Sequence, residues 1–594
     1  MGTRRVGAYG AFLAGGLGLW LAGTARVAEA APAPGPHRVV VDAAVRVKMR
    51  DGVALVADVY RPDEAGKFPV LLQRTPYNRA EPATGLLLAS HGYVVVLQDT
   101  RGRYESEGTF YPFRDEGRDG YDTVEWAAAL PSSDGKVGMF GGSYVGATQM
   151  LAASTKPPHL VAIFPYVTAS EYYESWTYQS GALMQWFAST WASLLSEDTA
   201  RKAAGARSHW SDWAPALPVD QFRLLDVPTP AELAPYYRDW VQHETEDAYW
   251  RAVKVKDHFG EMGVKALHGG GWHDLFLKGS IDNYRGLHEK AATAEARDGQ
   301  RLLLGPWCHG PTSDEGKIGD VVFGKDAVLD MDATVLRWFA YALKGEANEY
   351  ATGAPVRLFV MGENRWRDEK EFPLARTRST RYYLRSAKAA NTAAGDGTLA
   401  TEAPKNEPAA GFEYDPANPV RTIGGRLCCG NVAPPGPFDQ RPNESRPDVL
   451  VFSTPPLAQD VEVTGYVRLE LFASTSAVDT DFTALLADVD DTGYARFLTD
   501  GIVRARYRAG TDKAELIEPG RVYKYDVDLW ATSNLFKVGH RIRLYVSSSN
   551  FPRFSRNLNT GEPTLGGTRI VKARQAVLHD ALHPSALVLP VIPR

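Results

Sequence analysis

Through the first third of the chain, short apolar runs alternate with longer stretches of mixed polarity. Residues 70–72, 94–97 and 136–140 have the length and composition of buried strands, while 120–130 and 147–154 are helix-prone. This βαβ rhythm predicts a mostly parallel sheet covered by helices over residues 37–167. The rhythm stops at residue 168. Residues 168–255 are rich in Trp and Tyr at amphipathic helical spacing and read as a helical cap inserted between strands, its tryptophans forming mainly its own core. The strand–helix rhythm resumes over 256–350. From 355 to 594 the texture is all-β: runs such as Val467-Arg468-Leu469-Glu470-Leu471 alternate apolar and polar positions, and Pro/Gly/Asn clusters punctuate them. A two-sheet jelly roll is the natural expectation. The Ala-rich polar stretch 386–410 reads as a surface loop, and no fixed-period repeat occurs.

The first 30 residues belong to a different pattern. Arg4 and Arg5 precede an apolar, Gly- and Ala-rich run over 6–22, and Ala28-Glu29-Ala30 places small residues where signal peptidase reads. The expectation is a signal peptide removed after Ala30, hence a secreted or periplasmic protein. Thr3-Arg4-Arg5 is also a weak match to a twin-arginine signal. No later apolar run is long enough to span a bilayer, so no membrane span is expected after processing.

Composition narrows the function classes. The 594 residues, 44% hydrophobic and 11% aromatic, suffice for two or three domains with sizeable cores. A net charge of −5 provides no electrostatic footprint for nucleic acid. The expected partner is a small molecule, and a homo-oligomer is compatible with the sequence. Of the three cysteines, Cys308 stands apart, and the adjacent Cys428 and Cys429 either form a vicinal disulfide or remain two buried thiols. The strain of the small ring favours the thiols. No Cys/His spacing matches a metal site, so neither metal nor cofactor is expected.

The most informative segment is Gly138-Met139-Phe140-Gly141-Gly142-Ser143-Tyr144-Val145-Gly146. A strand-prone run enters a glycine-flanked serine and a helix-prone run leaves it, which is the layout of a nucleophile elbow. The spacing is G-x-S-x-x-G, with Val145 where a second glycine is usual, and by itself the segment also fits a plain Gly-rich βα turn. A nucleophilic serine needs a base and an orienting acid, supplied in the order Ser, Asp, His from loops after later strands. Two apolar runs meet this requirement. Residues 264–267 lead into His268-Gly269-Gly270-Gly271-Trp272-His273-Asp274, and 302–304 lead into Gly305-Pro306-Trp307-Cys308-His309. Asp274 and His309 are the candidate acid and base. Asp274 also reads as a helix N-cap, His309 as a turn residue, and His268 and His273 are rival bases.

These motifs together resemble the cocaine-esterase and Xaa-Pro dipeptidyl peptidase superfamily of serine hydrolases. The likeness runs from about Val39 to the C-terminus and includes Arg74-Thr75-Pro76-Tyr77, Asp99-Thr100-Arg101-Gly102, Asp119-Gly120-Tyr121-Asp122-Thr123 and Ser548-Ser549-Asn550-Phe551-Pro552-Arg553. It implies an α/β-hydrolase domain with an inserted helical cap plus a C-terminal all-β jelly-roll domain. It also implies that Ser143, Asp274 and His309 are the triad, and that the Tyr77 hydroxyl and the Tyr144 backbone N–H form the oxyanion hole. Phe276, two residues after the acid, and Trp176, Trp186 and Trp191 of the cap are expected to line the substrate pocket. The turn around Asp99 and Arg101 is expected to be architectural.

Substrate preference is written less plainly. The superfamily includes ester hydrolases, β-lactam side-chain acylases and dipeptidyl peptidases. Members that act on α-amino esters carry acids just after the triad Asp, where this chain has Leu275, Phe276 and Leu277. Glu171 and Glu174 could bind an amine, although cap acids are more commonly solvated. The reading is therefore an exported ester or amide (acyl) hydrolase for uncharged or acidic acyl groups. An Xaa-Pro dipeptidyl aminopeptidase and a β-lactam side-chain acylase are the alternatives. A carbohydrate-binding protein with an inactive hydrolase domain is the remote one.

Overall fold

The computed structural model describes residues 35–202, 219, 234–310, 312–429 and 433–593. The expected signal peptide, Trp210 and Trp213 lie outside them.

A ten-stranded mixed sheet organises the first domain. Its strands are β1 (Val39–Lys48), β2 (Ala54–Pro62), β3 (Phe68–Thr75), β4 (Val94–Asp99) and β5 (Ser133–Gly142), then β6 (Leu160–Tyr166), β7 (Lys265–His273), β8 (Gln300–Cys308), β9 (Val356–Val360) and β10 (Arg365–Glu369). Their spatial order is β1-β2-β4-β3-β5-β6-β7-β8-β9-β10. The pairings from β4 through β9 are parallel and those at both edges antiparallel. Central strands are buried on both faces, which explains why 94–97 reads as an unbroken apolar run rather than an alternation. The covering helices include α1 (Pro82–Ser90), α2 (Glu116–Ala128) and α3 (Tyr144–Ser154), and, after the cap, α6 (Leu277–Lys290) and α7 (Met331–Lys344).

The cap contributes α4 (Gln185–Lys202) and α5 (Pro235–Gln242) among the described residues. Trp176, Trp191 and Trp240 are at most 1% exposed and pack with Tyr172, Phe187 and Tyr236 in one aromatic cluster. Trp191 and Trp240 stack at 5.9 Å. Burying rings of this size supplies several kcal/mol of hydrophobic stabilisation, about 1.5–3 for each large side chain.

Hydrogen bonding of the first sheet runs past the expected boundary at residue 355. Residues 356–369 continue the first sheet, because β9 pairs in parallel with β8 through Leu302↔Val356 and Leu304↔Leu358. Alternation identifies a strand but not the sheet it joins. The all-β domain follows, with eleven strands from Arg378–Arg385 to Ala586–Ile592 in one hydrogen-bonded sheet, ten along a single path and Tyr523–Phe536 pairing beside Val461–Thr475. Cys428 and Cys429 are joined by a disulfide, which corrects the preference for two thiols.

Candidate active site

Four candidate residues follow the carboxyl ends of neighbouring strands of one sheet: Tyr77 after β3, Ser143 after β5, Asp274 after β7 and His309 after β8. In open α/β sheets this edge is where the connecting loops converge and ligands bind. The fold therefore gathers into one place residues up to 232 positions apart, from Tyr77 to His309.

Ser143 occupies a strained backbone conformation, φ 59° and ψ −127°, between β5 and α3. The turn is held by the Ser143 N–H donating to the Tyr166 carbonyl at 2.9 Å and by the Ser143 carbonyl accepting from Gly146 and Ala147. The unusual glycine spacing has a packing reason. Gly141 has φ 129°, and a Cβ there would sit 2.4 Å from a Val145 methyl, so Val145 fills the space the missing side chain leaves.

His309 Nε2 lies 3.0 Å from Ser143 Oγ, and its Nδ1 lies 2.6 Å from Asp274 Oδ2. The other Asp274 oxygen accepts the Phe276 N–H at 2.7 Å, so the carboxylate is fixed from both sides. All three side chains are buried. Gly271 makes the approach of β7 and β8 feasible, since a Cβ there would meet the Trp307 carbonyl at 2.2 Å.

The rival histidines are elsewhere. His268 is fully buried, with Nε2 2.9 Å from Gln300 Oε1, and burial lowers it to about 4. His273 points away from Asp274 and sits between Phe323 and Phe497, at 6.5 and 5.9 Å. Burial lowers it to about 3, and neither ring nitrogen has a hydrogen-bond partner among the described residues. Both are neutral imidazoles of the core. Cys308 is a buried thiol beside His309, and burial, with the charge of Asp274 adding to it, pushes it up to about 12.

Tyr144 opens α3, so its N–H has no intrahelical acceptor. Its side chain is anchored below: the hydroxyl donates to Glu116 Oε1 at 3.0 Å and accepts the Phe113 N–H at 2.9 Å. Burial pushes the Glu116 carboxyl up, against the opposing pull of Arg74, whose guanidinium lies 2.9 Å away. Arg74 and Glu116 are thus part of the site's support, a role no local sequence signal announces for Glu116. Burial raises the Tyr77 phenol to about 12, against the opposing pull of its contacts with Trp191 and Ser143. It is a neutral donor at physiological pH.

A cavity of about 420 Å³ opens on Ser143 and Tyr77 and runs between α1 and α7. Phe276 and the three cap tryptophans are absent from its lining. Phe276 and Trp176 instead wall the triad: Trp176 stacks on Phe276 at 4.1 Å, and Phe276 meets the His309 ring edge-on at 5.2 Å. Trp191 donates its indole N–H to the Tyr77 hydroxyl at 2.9 Å. Trp186 corrects the expectation outright. It packs with Leu427 and Ala433 and donates to the Cys428 carbonyl at 2.7 Å, on the side of the cap that meets the all-β domain. Five helical positions separate it from Trp191, and 100° per residue turns the two to different neighbours. The acids in the cavity's lining are Glu81, Asp330 and Asp332, which the sequence did not single out, and among the described residues the lining holds no Lys or Arg. Glu171 is paired with Lys254 and Lys256, and Glu174 accepts the Ser180 N–H, so neither cap acid lines the cavity.

Comparison with known proteins extends this geometry. Residues 51–311 match the family model for X-Pro dipeptidyl-peptidase (S15 family), and residues 348–588 match that for the X-Pro dipeptidyl-peptidase C-terminal non-catalytic domain. The cocaine esterase of Rhodococcus sp. (strain MB1 Bresler) is 40% identical over 576 residues, covering 93% of this chain and 98% of that protein. The chain belongs to the cocaine-esterase and Xaa-Pro dipeptidyl peptidase superfamily. It is a serine hydrolase, with the superfamily's α/β domain followed by its all-β domain. Among solved structures, an α-amino acid ester hydrolase superposes with TM-score 0.77 at 25% identity, covering 95% of this chain and 98% of that one. An aminopeptidase from a marine-sediment Thaumarchaeota archaeon superposes with TM-score 0.80 at 24% identity, covering 96% and 99%, and speaks for the fold alone.

Proposed function

We propose that this serine hydrolase cleaves carboxylic esters with uncharged acyl groups through a Ser143–His309–Asp274 triad. The observation that carries the reading is the continuous hydrogen-bonded line from Asp274 through His309 to Ser143, with Tyr77 on the wall of the same cavity as the serine. His309 Nε2 takes the Ser143 proton as Oγ attacks the carbonyl carbon, and Asp274 holds the tautomer and stabilises the imidazolium. The Tyr77 hydroxyl and the Tyr144 N–H stabilise the oxyanion of the tetrahedral intermediate. Collapse expels the alcohol, which receives the proton from His309, and a water activated by the same histidine releases the acid and restores Ser143.

The walls support the substrate preference. Leu275, Phe276 and Leu277 are fully buried, so the segment after the acid offers no partner for an ammonium. An ammonium held on that side would lose its hydration without a partner, at a cost of several kcal/mol, whereas one reaching Glu81, Asp330 or Asp332 would be paired. Glu81, Asp330 and Asp332 on the cavity disfavour an anionic acyl group on that side. We also propose that the protein is exported, on the pattern of residues 4–30.

Mass spectrometry after a fluorophosphonate probe tests the nucleophile: the label should sit on Ser143, and Ser143→Ala should lose both label and turnover. Labelling of the Ala variant at another serine, with turnover retained, refutes the triad.

A further inference from the structure

The geometry points to Trp191 as the residue that positions the Tyr77 hydroxyl for the oxyanion, so that the oxyanion hole is completed by the cap. This rests on the reading of Tyr77 as an oxyanion donor.

The argument begins with the chemistry of the contact. An indole N–H donates and never accepts. In the 2.9 Å bond between Trp191 Nε1 and the Tyr77 hydroxyl, the phenol oxygen is therefore the acceptor. The phenol's own hydrogen is left for another direction, and the hydroxyl's other polar neighbour is Ser143, on the wall of the same cavity. Without Trp191 nothing would hold the phenol hydrogen in that direction. With it, the hydrogen is aimed before substrate arrives, which is what makes a donor preorganised.

Trp191 is itself held rigidly. It is fully buried, stacked on Trp240 and edge-on to Trp176 at 5.9 Å, and tilted at 5.4 Å on the ring of Tyr144, whose backbone N–H is the second donor. One indole thus touches both residues of the oxyanion hole.

The helix bearing Trp191 is tied to the same turn from below. Arg103, 2% exposed, donates through Nε to the Pro76 carbonyl at 2.9 Å and through one terminal nitrogen to the Leu195 carbonyl at 2.8 Å. Leu195 lies one helical turn beyond Trp191. Tyr104 repeats the arrangement, its hydroxyl donating to the Tyr77 carbonyl at 3.0 Å and its N–H to Asp198 at 2.9 Å. Arg103 and Tyr104 therefore clamp α4 to the residues that aim Tyr77, giving the turn after Asp99 a role beyond architecture.

The test is a double-mutant cycle on p-nitrophenyl butyrate with the full chain. Trp191→Phe keeps most of the ring stack and removes the N–H. A protein carrying 3-benzothienylalanine at 191 keeps the shape and lacks only the donor. Both should lower kcat by about tenfold, less than loss of the oxyanion donor itself, with KM within about twofold. In a Tyr77→Phe background neither change should lower kcat further, because the hydroxyl they aim is gone. A benzothienyl protein with normal kcat overturns the proposal, as does an equal loss in both backgrounds. A Tyr77→Phe variant with normal kcat instead overturns the underlying role of Tyr77, which separates the two failures.

Discussion

Asp274 presents one carboxylate oxygen to His309 Nδ1 at 2.6 Å while its other oxygen is claimed by the Phe276 N–H at 2.7 Å. The two contacts leave the acid a single orientation. In Asp274→Asn the amide oxygen should keep the Phe276 contact, which turns the NH₂ toward His309. The imidazole must then accept at Nδ1 and carry its proton on Nε2, the wrong tautomer for receiving the Ser143 proton. Turnover should fall about 10⁴-fold with the fold intact. Steady-state kinetics with a circular dichroism melt on the same sample checks this.

His309 and His273 should separate cleanly. His309→Ala should lower kcat by orders of magnitude, whereas His273→Leu should leave it within a fewfold of normal, since the His273 ring faces Phe323 and Phe497.

The same His273 variant makes a prediction about pH. His268 and His273 are depressed to about 4 and about 3 by burial, below the ordinary value of 6.5. Between those limits the unfolded chain binds more protons than the native one. Their contribution to stability is thus complete above pH 6.5 and is lost as pH falls toward 4 and then 3. Each group adds at most about 1.4 kcal/mol per pH unit to the slope. Melting temperatures of His273→Leu measured from pH 7 to 4 should fall less steeply than those of the parent chain.

Tyr77→Phe should cost about 10²–10³ in kcat and leave KM nearly unchanged, because the charge it serves exists only in the transition state. With the phenol at about 12, activity should show no loss assignable to Tyr77 ionisation up to pH 10. Stopped assays at pH 7 and 10 on both proteins test the pair of statements.

Neutral short-chain aryl esters should be hydrolysed with a higher kcat/KM than matched esters bearing a free α-ammonium. A glycyl-prolyl anilide that outperforms the neutral ester would restore the aminopeptidase reading.

What the sequence determined by itself was everything carried by local pattern: strand and helix periods, the glycine turn that strains Ser143, and the order of Ser143, Asp274 and His309 after successive apolar runs. These are short-range consequences of backbone sterics and burial, so they survive as readable text. Only the tertiary structure decided which strands share a sheet, so that β9 and β10 pair with the first sheet although their alternation reads like that of the strands after them. It also decided which of two tryptophans on one helix meets the Tyr77 turn. Trp186 and Trp191 are indistinguishable as letters, yet one bonds the Cys428 carbonyl and the other the Tyr77 hydroxyl. The reason is physical: a side chain's partner across 114 residues, as between Tyr77 and Trp191, is set by how helices and sheets pack. Packing is a property of the whole chain, which no local window of sequence contains.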